Sequence, residues 1–174
     1  MKKFIVVMMV LALGGVAYGS SVGVPWFIDT GAAANKLPPI TPGVVGMVYL
    51  HNNLPTPVTC SIEYFTASGA GVGPAAPNNT FVVEANASLG FRPAVSDPSS
   101  VPGGQENTAS GWLVPDRPLD TAIPGNDGKK NGSCVITWVG GASDIQGMYM
   151  QQQFAGGDNY GKLMGYAHLL PPGA

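Results

Sequence analysis

Charged residues are scarce in this sequence. Asp, Glu, Lys and Arg make up 10% of the 174 residues, and the net charge is −2. Typical domains have about 25% charged residues. A nucleic-acid-binding surface needs clustered Lys and Arg, which the chain lacks, so we expect no nucleic-acid partner. A weakly charged surface leaves apolar atoms exposed, which is typical of surfaces that assemble or are covered by a partner.

Residues that could support catalysis are also few. There are two histidines, His51 and His168, and each lies near the end of a predicted strand. The sequence contains no nucleophile elbow, no His-Glu-x-x-His helix and no phosphate-binding loop. The loop aspartates stand beside Gly, Pro or Asn, where Asp commonly hydrogen-bonds its own backbone in a turn. We therefore expect a protein that is not an enzyme and that needs no metal or cofactor.

Cysteine occurs only twice, as Cys60 and Cys134. Residues 58–64 alternate strictly, which predicts a strand with Val58, Cys60, Ile62 and Tyr64 on its buried face. Residues 134–138 predict a second strand, with Cys134, Ile136 and Trp138 in phase. In an exported protein this pattern predicts a Cys60–Cys134 disulfide. The alternative is two free thiols that pack as small hydrophobic groups.

Residues 1–19 have the pattern of a secretory signal peptide, bacterial in appearance. Lys2 and Lys3 precede the apolar residues 4–13, and Ala17-Tyr18-Gly19 provides the small residues of a cleavage site. We expect cleavage after Gly19 and no stable membrane insertion afterwards. The predicted location is therefore the periplasm, the cell surface or the medium. An uncleaved N-terminal anchor is the alternative.

Residues 20–43 are rich in Pro and Ala and predict an extended N-terminal arm and linker. Val22, Val24, Trp26 and Ile28 share one phase, and Pro25 lies on the other. Because Pro is tolerated in edge strands, we expect this arm to add to a sheet edge, of its own chain or of a neighbour. The alternative is that it forms the first strand of the domain, followed by a long loop.

Residues 44–174 predict a single β domain that contains a long Pro- and Gly-rich loop at 93–133. Gly and Pro interrupt nearly every window, and no segment has a convincing helical period. Short strands are predicted at 44–51, 58–66, 79–85, 88–92, 133–139, 145–154 and 163–170. The first of these is apolar on both faces, as expected for a strand that is covered on both sides.

The order of these segments predicts an all-β fold, a two-sheet antiparallel β-sandwich. An Asn-Pro turn, the alternating strand, a Gly loop and a Phe-Val and Leu-Phe pair joined by an Asn86-Ala87 hairpin follow one another. Over residues 44–93 this pattern resembles bacterial immunoglobulin-like export domains. The resemblance implies a loosely immunoglobulin-like sandwich. It differs from antibody domains in that Trp138 follows the second cysteine.

Two functions are favoured by these features, and a secreted hydrolase that uses loop carboxylates is a third alternative. The first is a structural or assembly subunit at the cell exterior, which pairs with itself or with another exported protein through the arm or through the strand at 163–170. The second is an extracellular module that binds a polysaccharide or another ligand. Aromatic rings can stack on sugars, and amides can bind hydroxyl groups. Its candidate residues are Trp112, Gln152 and Phe154.

Overall fold

The computed structural model describes residues 19–31, 42–93, 114–118, 131–154, 164–170 and 172–173. All regular elements within these ranges are strands. In chain order they are β1 (Gly19–Ile28), β2 (Gly43–Asn52), β3 (Val58–Phe65), β4 (Gly71–Gly73), β5 (Thr80–Val83), β6 (Ser88–Phe91), β7 (Asn131–Val139), β8 (Ile145–Phe154), β9 (Met164–Leu170) and β10 (Pro172–Gly173).

The strands form two antiparallel sheets that pack face to face. Sheet A has the order β10-β1-β7-β3-β4, and β5 also pairs with β3. Sheet B has the order β6-β2-β8-β9. This confirms the predicted all-β sandwich. The order differs from that of immunoglobulin domains, in which the first two strands are neighbours. Here β1 pairs with β7, and β2 lies in the other sheet.

The core lies between the sheets and follows the predicted alternation. On β3 the side chains of Cys60, Ile62 and Tyr64 are buried, and Thr59 and Glu63 are exposed. On β7 the same holds for the residues in phase with Cys134, including the indole of Trp138. Strand pairing sets these two faces side by side in one sheet, because β3 and β7 are direct neighbours.

β1 adds to sheet A of its own chain, one of the two possibilities expected for residues 20–28, and forms the first strand of the sandwich. It pairs with β7 over most of its length and with β10 at Ser21 and Val22. Val22 and Val24 are buried in the core. The register shifts between Val24 and Phe27, so that Phe27 points inward and Trp26 is 42% exposed. A bulge of this kind reverses the phase that the sequence suggested for Trp26 and Ile28.

Three turns that pass from one sheet to the other stack at one end of the sandwich, which we call the crossover end. They connect β2 to β3, β5 to β6 and β7 to β8. The β2–β3 turn hydrogen-bonds to both of the other turns. Asn52 N donates to Ala87 O of the β5–β6 turn at 2.9 Å, and Asn53 N donates to Asp144 O of the β7–β8 turn at 2.8 Å. The expected Asn86-Ala87 hairpin is thus a crossover, since β5 and β6 belong to different sheets.

The side-chain amide of Asn52 holds this end together from inside. The residue is fully buried, and its Nδ2 lies 2.8 to 3.0 Å from the carbonyl oxygens of Thr56, Val83 and Glu84. Its Oδ1 accepts a hydrogen bond from Leu54 N at 2.9 Å. Buried carbonyl groups need such partners, so one side chain stabilises the ends of two neighbouring turns.

At the opposite end a buried ion pair joins the two sheets. Asp29 follows β1 in sheet A, and Arg92 follows β6 in sheet B. Arg92 Nε lies 2.8 Å from Asp29 Oδ2, and Arg92 Nη2 lies 2.5 Å from Asp29 Oδ1. The side chains are 3% and 0% exposed. This geometry is bidentate, the strongest form of a guanidinium–carboxylate contact.

Part of the predicted long loop 93–133 packs against the sandwich near this end. Val114 and Arg117 are buried, and Tyr64 Oη donates a hydrogen bond to Pro115 O at 3.0 Å. Tyr64 in turn meets the ring of Phe27 edge-on, with the ring centroids 6.4 Å apart. The polar tip of a core tyrosine therefore anchors residues 114–118.

β2 is buried on both faces, as its sequence predicts. Val48 and Leu50 point into the core. The strand pairs with β8 without a register shift, so Val45 and Met47 must lie on the outer face of sheet B. Both are nevertheless buried, at 0% and 1% exposed. This confirms the expectation of a strand that is covered on both sides.

Candidate functional site at the open edge of sheet B

The two cysteines do not form the predicted disulfide. Both are free and buried. In the β3–β7 ladder Cys60 faces Trp138, and Cys134 faces Tyr64. Their Cα atoms are therefore separated by four residues of strand, about 13 Å. A disulfide requires Cα atoms within about 7 Å. The sequence correctly places both thiols on the buried face, but the register of the ladder keeps them apart.

Burial makes both thiols unreactive. Loss of hydration raises the pKa of each from the ordinary value of 9.0 to about 12. For Cys134 a backbone hydrogen bond at Val24 acts weakly in the opposite direction. A thiol that remains protonated at neutral pH is a poor nucleophile. These cysteines therefore act as small core side chains.

We expect a thiol reagent at pH 8 to label neither cysteine in the native protein and both in denaturant.

The folded protein keeps the thiols protonated, while the unfolded chain ionises above pH 9. Their contribution to stability is therefore fully present below pH 9 and is lost as the pH rises from 9 towards 12. A Cys60→Ala/Cys134→Ala variant should show a smaller loss over this range. The intact mass, measured without reductant, checks that both thiols are free. A deficit of two hydrogen atoms would show a disulfide and contradict this.

The structure does not test the candidate ligand-binding residues as a group. Gln152 lies on β8 opposite Val45, and its Oε1 is buried without a hydrogen-bond partner. Phe154 ends β8 and pairs with Gly43. Trp112 lies outside the described residues. Trp138 is unavailable for stacking, because it is buried and its indole N–H donates to Gly141 O at 3.0 Å.

Most strand edges of the sandwich are short or obstructed. In sheet A, β10 covers only two residues of β1, and the rest of that edge contains Pro25 and the bulge. Pro25 has no backbone N–H to donate, and bulges twist an edge away from a partner. On the other side of the sheet, β4 and β5 have three and four residues. In sheet B, β6 has four residues.

β9 is the exception among the described edges. It has seven residues, and all seven pair with β8 in a continuous register. No described strand pairs with its other side, so alternate backbone N–H and C=O groups face away from the sheet. Its sequence, Met-Gly-Tyr-Ala-His-Leu-Leu, contains no Pro, Asp, Glu, Lys or Arg. The strand itself therefore lacks the proline and charged side chains that commonly protect an edge from pairing.

The C-terminal part of β9 also exposes an apolar side chain. Leu169 is 79% exposed, while the next residue, Leu170, is 4% exposed and reaches the core. An open groove of about 490 Å³ runs between these two leucines and the start of β8, with Ile145 and Gly147 in its wall. Exposed leucine on an open strand edge is a feature of surfaces that pair with another chain.

Sequence reasoning found this strand but could not choose it over the arm. The prediction at 163–170 matches β9 within one residue. Its position at an edge depends on strand order, which local patterns do not reveal. The ion pair of Asp29 and Arg92 and the network of Asn52 were missed, because each depends on contacts between distant parts of the chain.

Among the described residues, no three His, Cys, Asp or Glu side chains are grouped so that they could hold a metal ion. Within those residues, no helix is long and apolar enough to cross a membrane.

Comparisons with known proteins add little to this description. No protein-family model matches the chain, and no curated protein does. Among solved structures, the chain is similar to the crystal structure of Thermotoga maritima 1070. The two are 8% identical, the match covers 90% of this chain and 94% of that chain, and the TM-score is 0.41. A likeness of this size carries no argument about function.

Proposed function

We propose that this protein is an exported, non-catalytic structural or assembly subunit that joins a neighbour through the open edge of β9. The observation that carries the proposal is β9 itself, a seven-residue edge strand without charge or proline. An added strand would satisfy its outward N–H and C=O groups, so the interaction would take the form of β-augmentation. The predicted signal peptide and the low charge support a role at the cell exterior.

The sequence left two candidates for the pairing edge, the segment at 22–28 and the strand at 163–170. β1 pairs with β7 in its own chain, and the part of its other side that β10 does not cover contains Pro25 and the bulge, so this segment is a less suitable pairing edge than β9. β9 meets the requirements that the arm was expected to meet. Its backbone edge is open among the described residues, and Leu169 adds apolar area beside it.

The proposal predicts that a charge on β9 prevents assembly. Leu169→Lys places a strongly hydrated ammonium group on the pairing edge, where burial beside a second strand would cost free energy. We expect the exported protein to form a defined oligomer, and Leu169→Lys to raise its dissociation constant about ten-fold or more, equivalent to about 1.4 kcal/mol. Light scattering over a range of protein concentrations measures this change.

Val139→Lys is the matched control. Val139 is 73% exposed, but it lies on β7, which has strand neighbours on both sides. The same substitution there should leave the oligomer unchanged. An equal effect of the two variants would argue against edge pairing. A wild-type protein that stays monomeric at every concentration would contradict the proposal and favour the ligand-binding module.

A further inference from the structure

We propose that the neighbour is a second copy of this chain, and that two β9 strands pair antiparallel across a twofold axis. This inference rests on the proposed function, and it names the partner. The two four-stranded B sheets would then form one continuous sheet through both subunits. The result is a closed dimer and not a fibre.

Few of the described strand edges could complement β9. A seven-residue strand gains most from a partner of similar length, because each further pair of residues adds cross-strand contacts. Among the described edges, β4, β5, β6 and β10 have two to four residues. The open part of β1 contains Pro25 and the bulge. Among the described edges, the one that matches β9 is therefore another β9.

Pairing of identical edges determines the symmetry. When the same surface lies on both sides of an interface, the contact is isologous. In such a contact the open edges of both subunits are paired with each other. Head-to-tail growth would need a second, different edge of comparable length, which the described residues do not offer. Pairing of the two β9 edges thus gives a dimer, and no β9 edge remains for further addition.

The chemistry of β9 is compatible with self-pairing. Like charges that face each other across a pair of strands are destabilising. β9 carries no Asp, Glu, Lys or Arg, so two copies can approach without repulsion between these groups. A partner that recognised β9 through charge would find nothing to bind on the strand itself. The main chain and apolar contacts at Leu169 would provide the affinity.

Single cysteines on β9 test the arrangement directly. Gly165, Ala167 and Leu169 are alternate residues of β9, and Leu169 is exposed. In an antiparallel pair about a twofold axis perpendicular to the sheet, one residue faces its own copy, and the others face residues on the same side. Directly opposed Cβ atoms are about 5 Å apart, which is within reach of a disulfide after small adjustments.

The experiment replaces each of the three residues with Cys in the full chain, and oxidises the variants singly and in pairwise mixtures. We expect one variant or one mixture to form covalent dimers about ten-fold or more faster than a Val139→Cys control, because pairing raises the local concentration of the thiols. Cys60 and Cys134 should add no background, since both are buried. Non-reducing electrophoresis and light scattering measure the products.

The outcomes separate this inference from the proposed function. A dimer that cross-links through β9 supports both. A larger assembly or a fibre that Leu169→Lys still disrupts, without cross-linking of any β9 cysteine, overturns the twofold pairing and leaves edge assembly in place. A monomer that does not cross-link at any concentration overturns both.

Discussion

Deletion of residues 20–28 is expected to unfold the protein. The deletion removes β1, whose Val22, Val24 and Phe27 are at most 1% exposed. Burial of each such side chain contributes about 1.5 to 3 kcal/mol, so the loss of all three alone costs about 4.5 to 9 kcal/mol. That is comparable with the whole stability of a typical domain, about 5 to 15 kcal/mol. Circular dichroism and thermal melting should show no cooperative transition.

Two controls make the deletion informative. A synthetic peptide of residues 19–31, added in trans, should restore part of the folded signal, because it can re-form the ladder with β7. Trp26→Ala should melt within a few degrees of the wild type, since Trp26 is 42% exposed at the bulge. A deleted protein that folds cooperatively and merely fails to assemble would show that residues 20–28 form an arm after all.

Loss of either member of the Asp29–Arg92 pair should be the largest single-substitution effect. Arg92→Met leaves a buried carboxylate without its bidentate partner, and removal of one member of a buried pair costs about 3 to 5 kcal/mol. For a domain of this size the melting temperature should fall by about 10 °C or more. Urea denaturation at neutral pH measures the free energy directly.

The double variant Asp29→Leu/Arg92→Met separates the net contribution of the ion pair to stability from the cost of leaving one buried charge unpaired. Because burial of two charges is itself unfavourable, an apolar replacement of both residues should recover most of the stability lost by Arg92→Met. Glu63→Gln is a matched surface control and should change the stability by less than about 0.5 kcal/mol, since Glu63 is exposed. If Arg92→Met matched this control, the ion pair would contribute nothing to the contact between the sheets.

The buried pair also explains why the two ends of the sandwich differ in chemistry. At the crossover end, the carbonyl groups are satisfied by the neutral amide of Asn52 and by hydrogen bonds between neighbouring turns. At the other end, a charged pair spans from β1 to β6. Both arrangements connect segments that are far apart in the sequence. They resist separation of the sheets, while the edge of β9 stays open among the described residues.

Local patterns in the sequence predicted much of the fold. The alternation at 58–64 and 134–138 correctly identified the buried faces of β3 and β7, because successive side chains of any strand point to opposite sides. The apolar faces of 44–51 correctly indicated a strand that is buried on both sides. Errors arose where alternation was interrupted, as at the bulge that turns Trp26 outward.

The sequence by itself determined the all-β composition, the approximate strand positions and the residues that must be buried, since these depend on neighbours within a few residues. Only the tertiary structure decided strand order and register, which depend on how distant segments pack together. Register separates Cys60 from Cys134 and so excludes the disulfide. Strand order places β1 beside β7 in sheet A and leaves β9 at the edge of sheet B among the described residues, because the order depends on which distant strands pair with each other.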